Sequence, residues 1–146
     1  MRKFTIFITL SLLFSFNNYI NNKLIVYMSP TCGCCTYWVK HMQENGFLVE
    51  SIKIKNMDSI KIHNKINPRL VSCHTGIINN YLIEGHVPAK DVKRLLSLKP
   101  KIRGLTVPGM PAGSNVPGME VTNSPAKYNV LSIEYDGNIK IWSKYE

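Results

Sequence analysis

Three of the chain's four cysteines fall within four positions, in Ser29-Pro30-Thr31-Cys32-Gly33-Cys34-Cys35-Thr36-Tyr37-Trp38, directly after a short apolar run. No other stretch limits the fold as strongly. Lys23-Leu24-Ile25-Val26-Tyr27-Met28 is apolar and partly β-branched, and Pro30 stops it, so it reads as a buried strand. After it, Cys35, Trp38, Val39 and Met42 recur at i, i+3, i+4 and i+7, one face of a helix that ends near Gly46. The cysteines therefore occupy a strand-to-helix turn. The first N–H groups of the helix point outward there, and the helix dipole favours a thiolate and lowers thiol pKa. Such thiolates suit disulfide exchange and soft-metal ligation.

At 146 residues, 45% hydrophobic and 18% charged, the chain has room for one domain with a real core. Arg2-Lys3 precedes an almost wholly apolar run from Phe4 to Phe16, and Asn17-Asn18 follows. This is a charged n-region and an h-region, shorter than the ~20 residues of a spanning helix. Residues 1–20 therefore read as a signal peptide or, because no Ala-x-Ala cleavage pattern follows, as an N-terminal anchor. The implied address is the periplasm or cell envelope, with membrane contact only if the segment is retained. The formal net charge is +9. Lysines are scattered singly among Ile and Asn rather than massed, which argues for a solvated basic surface and against nucleic acid as a partner. In an oxidising compartment four cysteines usually form two structural disulfides. Cys34 and Cys35 are adjacent and Cys32 is two residues before Cys34, a spacing in which all three cannot pair comfortably, so a redox or metal site explains them better.

Phe47 to Ile54 reads as a second strand, parallel to the first through a βαβ crossover. Asn56 caps a short helix, Met57 to Ile66, that presents Ile62 and Ile66 and stops before Pro68. Leu70 to Ile78 and Tyr81 to Glu84 flank Asn79-Asn80 as a hairpin. Pro88 opens a helix with Val92, Leu95 and Leu96 on one face, finished by Pro100. The order is βαβα-ββα. With Cys32 and Cys35 as a Cys-x-x-Cys at the end of the first strand, it resembles the thioredoxin fold, an α/β architecture. In that fold the loop entering the third strand packs on the Cys-x-x-Cys turn and usually carries a cis-proline; here Ser72-Cys73-His74-Thr75 stands at that junction without one. The expected thioredoxin-like domain spans residues 22–100. Residues 101–126 form a Gly/Pro/Met loop that breaks helix and strand and contains Val-Pro-Gly-Met twice, at Val107 to Met110 and Val116 to Met119. A C-terminal β-hairpin, 127–146, turns at Asp136-Gly137 and packs through Leu131, Ile133, Ile139 and Ile141.

Clustered thiolates with a fourth cysteine and histidines favour Cu(I) first and zinc second, because sulfur donors are polarizable and Met thioethers add affinity for Cu(I). Zinc sites usually use two spaced ligand pairs, and Cys73-His74 is a weak second pair for Cys32 and Cys35. Adjacent thiolates can bridge copper ions, which would make the centre polynuclear. The rival chemistry is thiol-disulfide exchange, or copper oxidoreduction, through Cys32 and Cys35. His74 is the histidine candidate beside Cys73, ahead of His86 and His41, while His63 reads as surface. Met110 and Met119 read equally as thioether ligands or as gap-filling side chains. Met28 and Trp38 read as core.

Tyr27 to Cys35, Leu70 to Thr75, Tyr81 to Pro88 and Val107 to Pro111, in that order, are similar to the motifs of the DUF411 family, and the similarity spans nearly the whole chain after the N-terminal signal or anchor segment. It implies a thioredoxin-like domain, export, and copper handling with copper ions as the main partner and another copper-handling envelope protein as a second. By motif it carries over Cys32, Cys34, Cys35 and Cys73 as metal ligands, with His74 and Met110 beside them. The second Val-Pro-Gly-Met is longer than the family's form, which weakens Met119 relative to Met110. The resulting expectation is an exported protein that sequesters or transfers copper rather than a turnover enzyme.

Overall fold

The computed structural model describes residues 23–146, so the reading of residues 1–20 as a signal peptide or anchor lies outside the described residues. The elements are β1 (Lys23–Met28), α1 (Gly33–Glu44), β2 (Leu48–Lys53), α2 (Met57–His63), a 3₁₀ turn (Pro68–Leu70), β3 (His74–Ile78), β4 (Tyr81–Glu84), α3 (Ala89–Leu98), β5 (Gly104–Thr106), β6 (Tyr128–Ile133) and β7 (Ile139–Tyr145). The βαβα-ββα order is present through α3. All seven strands join one sheet in the order β2-β1-β3-β4-β5-β6-β7. The β1–β2 and β4–β5 pairs are parallel and the other pairs are antiparallel. No described helix is long and apolar enough to cross a membrane.

Alternation along β1 decides which residues meet which helices. Leu24, Val26 and Met28 are buried with Cys35, Trp38, Val39 and Met42 of α1 and Val92 and Leu95 of α3, as the period-2 and period-3.6 patterns require. A second cluster, Ile66, Leu70, Leu82 and Ile133 with Ile77 packed against it, fills the opposite face. Helix α1 stops where Gly46, at φ +86°, lets Phe47 N–H reach the Met42 carbonyl at 3.1 Å. Asn79 and Asn80 both have positive φ, the geometry of a two-residue type I′ hairpin turn. The first N–H of α3, on Ala89, donates to His41 Nε2 at 3.1 Å, and burial lowers the His41 pKa. His41 is thus a cap for α3, which Pro88 leaves without a side-chain cap of its own.

Three expectations need correction. Helix α2 ends at His63, and it turns Lys61 inward while Ile62 is 75% exposed. A helix of two turns shows too little of its period to tell Lys61 from Ile62, and the surface it meets is a carboxylate rather than hydrocarbon. The Gly/Pro segment is not free of regular structure, because Gly104–Thr106 forms β5 between β4 and β6. Gly104 serves as a site of close approach there, since a Cβ would lie 1.8 Å from the Leu82 carbonyl oxygen. The C-terminal hairpin extends the sheet at its edge, so Ile133 is buried and Leu131 partly so, whereas Ile139 and Ile141 are exposed. A bulge makes the difference: Val130 pairs with Ser143 but Leu131 with Ile141, so Trp142 is the extra residue.

Helix α3 fastens this edge. The buried Asp91 carboxylate accepts from Ser143 Oγ and Tyr145 Oη. Tyr145 stacks on Tyr128 at 4.6 Å, and the Arg94 guanidinium lies 4.0 Å from the Trp142 ring centroid. Replacing Gly104 with Ala is expected to lower unfolding free energy by about 3 kcal/mol or more, because the clash is with backbone that cannot move aside. Gly137→Ala, whose Cβ meets no atom within 4 Å, should cost only about 1 kcal/mol for its φ of +86°. Urea unfolding of both variants measures this difference, and equal losses would refute the steric reading.

Candidate metal centre

The turn from β1 into α1 places three sulfurs at the head of the helix. Cys32 N–H bonds back to the Ser29 carbonyl at 3.2 Å, and Cys32 is the N-cap, its Sγ accepting Cys35 N–H at 3.3 Å. Cys35 faces the core and is fully buried, while Cys32 and Cys34 are half-buried. Cys32 and Cys35 are joined as a disulfide, and Cys34 and Cys73 are free thiols. Cys73 arrives from the loop that enters β3. Its Sγ is 3.8 Å from Cys34 Sγ, which is 3.5 Å from Cys32 Sγ. All four sulfurs lie within 4.8 Å of one another. The sequence-predicted cysteine set is therefore brought together, and no cis peptide occurs among the described residues.

Cys73 also belongs to a second group. Its sulfur is 3.3 Å from His74 Nδ1 and 3.1 Å from His86 Nε2. His86 Nδ1 is 2.7 Å from the Pro117 carbonyl oxygen. A carbonyl only accepts, so the proton is on Nδ1 and the Nε2 lone pair faces Cys73. The single Cys73 proton then serves His86, and His74 Nδ1–H points at the sulfur. His74 Nε2 is left buried with no hydrogen-bond partner among the described residues. The His74 ring packs on Trp38 at 4.3 Å and meets His86 edge-on at 5.0 Å. Burial holds the His74 pKa well below its ordinary value, the more so because two neighbouring imidazoles cannot both be charged and Lys61 is near, and burial also lowers that of His86. Both imidazoles are therefore neutral at pH 7, the ligating form. Burial first, and then the neighbouring Cys34, push the Cys73 thiol up to about 12. The lowering expected of thiols at the helix N-terminus concerns Cys32, Cys34 and Cys35; Cys73 comes from the loop into β3, where burial dominates.

The two Val-Pro-Gly-Met copies close the site from two sides. In the first, Gly109 N–H donates to the Val71 carbonyl at 3.0 Å, and Ser72 Oγ donates to the Gly109 carbonyl. Met110, next in the chain, is 59% exposed. In the second, Pro117 holds His86, and Gly118 is pressed so closely on α1 that a Cβ would lie 2.7 Å from both the Cys34 carbonyl oxygen and Trp38 N. Met119 follows and is half-buried. Trp38 and Met28 are core, as expected, and Trp38 Nε1–H donates to the Val87 carbonyl at 2.9 Å. His63 is exposed. The residue that the sequence ranked too low is His86: its distance from the cysteines in the chain hid it, although it sits inside the Tyr81 to Pro88 motif.

The donor set is thiolate and imidazole, which suits soft and borderline metals. The family described as a protein of unknown function, DUF411, matches residues 70–119. No curated protein sequence matches the chain significantly. Two solved structures are similar to it. One, titled copper resistance protein copG, form 2, is 34% identical with a TM-score of 0.80, covering 86% of this chain and 98% of that one. The other, form 1 of the protein of that title, is 35% identical with a TM-score of 0.79, covering 85% and 97%. The motifs around Cys32, Cys73, His86 and Met110, the shared fold and these identities agree: the chain belongs to the DUF411 family, together with the copper resistance protein CopG.

Proposed function

We propose that this chain is an exported copper-binding protein that takes up Cu(I) on Cys32, Cys34, Cys35 and Cys73, with His86 and His74 completing the donor set, and holds or passes it on in copper resistance. The observation that carries the reading is the convergence of four sulfurs within 4.8 Å, one of which is shared with two neutral histidines. The copper-resistance title of two relatives at about a third identity supports copper as the cargo. The domain is read as thioredoxin-like and its location as the cell envelope. Met110 and Met119, each following a turn that touches the site, are the thioether candidates, and zinc is the second metal.

Loading requires a reduced centre. A dithiol reductant gives two electrons and two protons to the Cys32–Cys35 disulfide and becomes a disulfide itself. Copper then displaces the thiol protons. Cys35 N–H, at the head of α1, donates to the sulfur of the N-cap Cys32 at 3.3 Å and would do the same for its thiolate. Burial raises the Cys73 thiol's pKa, a penalty that a bound ion would offset. Pro117 fixes the tautomer and ring orientation of His86, the outer-sphere support that metal-bound histidines use.

An anaerobic Cu(I) titration of the reduced chain, competed against a chromophoric chelator, tests this. More than one copper per chain is expected, with stoichiometry reduced in Cys34→Ser. His86→Ala should weaken binding on the order of 10- to 100-fold. The oxidised chain, which keeps only Cys34 and Cys73 as thiols, should bind at least about 100-fold more weakly. The disulfide itself favours a second reading, a thiol-disulfide or copper oxidoreductase in which the half-buried Cys32 attacks and the buried Cys35 resolves. If Cu(I) binding does not exceed the chelator background while insulin reduction survives Cys34→Ser, the oxidoreductase reading replaces the first.

A further inference from the structure

Behind the sulfur and histidine groups lies a buried ion pair that no metal-site reading uses. Lys61 and Glu84 have side chains 10% and 0% exposed. Lys61 Nζ donates to Glu84 Oε1 and, at 2.8 Å, to Thr75 Oγ1, whose hydroxyl donates to Glu84 Oε2 at 2.8 Å. Glu84 Oε1 also accepts the backbone N–H of Ser72 at 2.7 Å. A buried ion pair is weak evidence for stability, because well-packed apolar side chains often do as well. What an apolar pair would not supply is the acceptor for Ser72 N–H, one residue before Cys73.

The surrounding backbone makes that bond consequential. Gly85 N–H donates to the His74 carbonyl at 3.1 Å, and Val107 N–H to the Glu84 carbonyl at 3.0 Å. A Cβ at Gly85 would lie 2.5 Å from Ser72 Cβ and 2.6 Å from the Val107 carbonyl oxygen. Ser72 is therefore packed on one side by the Gly85 turn and tied by its amide to the Glu84 carboxylate. No cis peptide shapes this loop.

We propose that Glu84, with its charge balanced by Lys61, is a positioning residue that holds the Ser72–Cys73 backbone so that the Cys73 sulfur stands within reach of Cys34, His74 and His86. The use made of Cys73 rests on the metal reading, but the placement can be read without metal. In a Cys32→Ser/Cys35→Ser background only Cys34 and Cys73 remain, 3.8 Å apart, and diamide closes them into a disulfide while being reduced to its hydrazine. Lys61→Met/Glu84→Gln removes both charges and keeps an acceptor for Ser72 N–H, so the closure rate should stay within about threefold; Lys61→Met/Glu84→Leu removes the acceptor and should slow it about tenfold or more. With Cys32 and Cys35 restored, the Leu pair should also weaken Cu(I) binding about 10- to 100-fold, and Cys73→Ser should add little further loss.

Equal closure rates in the Gln and Leu pairs overturn the proposal, as does a Cys73→Ser penalty that is the same with and without Glu84. Should the Leu pair fail to fold, hydrogen exchange of the wild-type chain decides. A Ser72 amide protected like the β3 amides supports the bond, and exchange at the rate of an open loop refutes it. Slowed closure in a chain whose wild type binds no Cu(I) would sink the metal reading and leave the positioning role standing.

Discussion

The Cys73 sulfur is the point on which the site depends, because it belongs at once to the four-sulfur group and to the two-histidine group. Three chain segments have to arrive within a few ångströms for this to happen: the first turn of α1, the loop into β3, and the Gly85-His86 corner after β4. The sheet delivers the second and third, since β3 and β4 are paired from Thr75–Glu84 to Ile78–Tyr81. It delivers the first as well, since Met28 at the end of β1 pairs with His74 at the start of β3. The register that packs the core is the same register that brings the cysteines together.

The repeated Val-Pro-Gly-Met turns show how one short sequence does two jobs. Both glycines have positive φ, +69° at Gly109 and +81° at Gly118, so both turns run through a conformation that side chains resist. At Gly109 there is open space where a Cβ would stand, and only the turn needs glycine. At Gly118 the Cys34 and Trp38 backbone leaves no room for one. The second copy therefore packs directly on the first turns of α1, and it also fixes His86 through the Pro117 carbonyl. A segment rich in Gly and Pro becomes ordered because its backbone groups bond largely within the segment, as Gly113 N–H does to the Met119 carbonyl and Ala126 N–H to Asn115, while Gly109 and Pro117 tie it to the site.

Elements with a full period of burial were legible in the sequence. Strand β1, helix α1 with its Cys35, Trp38, Val39 and Met42 face, the Asn79-Asn80 hairpin and α3 are found where the patterns place them. Lys61, β5 and the packing face of β7 were not legible, each for a physical reason. Lys61 is buried by an ion pair rather than by hydrophobicity. Three-residue β5 depends on a glycine that elsewhere marks a break, and the bulge at Trp142 shifts which β7 residues oppose β6. At the site, the cysteines announced themselves by spacing, whereas His86 and Glu84 act through contacts made only after β4 has paired.

Charge also separates the two candidate metals on the copper reading. The apo histidines are neutral and Cys73 is held as a thiol, so the buried half of the site carries no net charge there. Each Cu(I) that replaces one thiol proton leaves that balance unchanged. A zinc ion held by four thiolates would leave a charge of about −2, which burial penalises unless cations offset it. The Lys61 ammonium does not serve, because Glu84 already occupies it. On the copper reading, each thiol of the half-buried cluster is matched by one monovalent soft ion, whereas zinc would reach neutrality here only by taking two imidazoles in place of two thiolates.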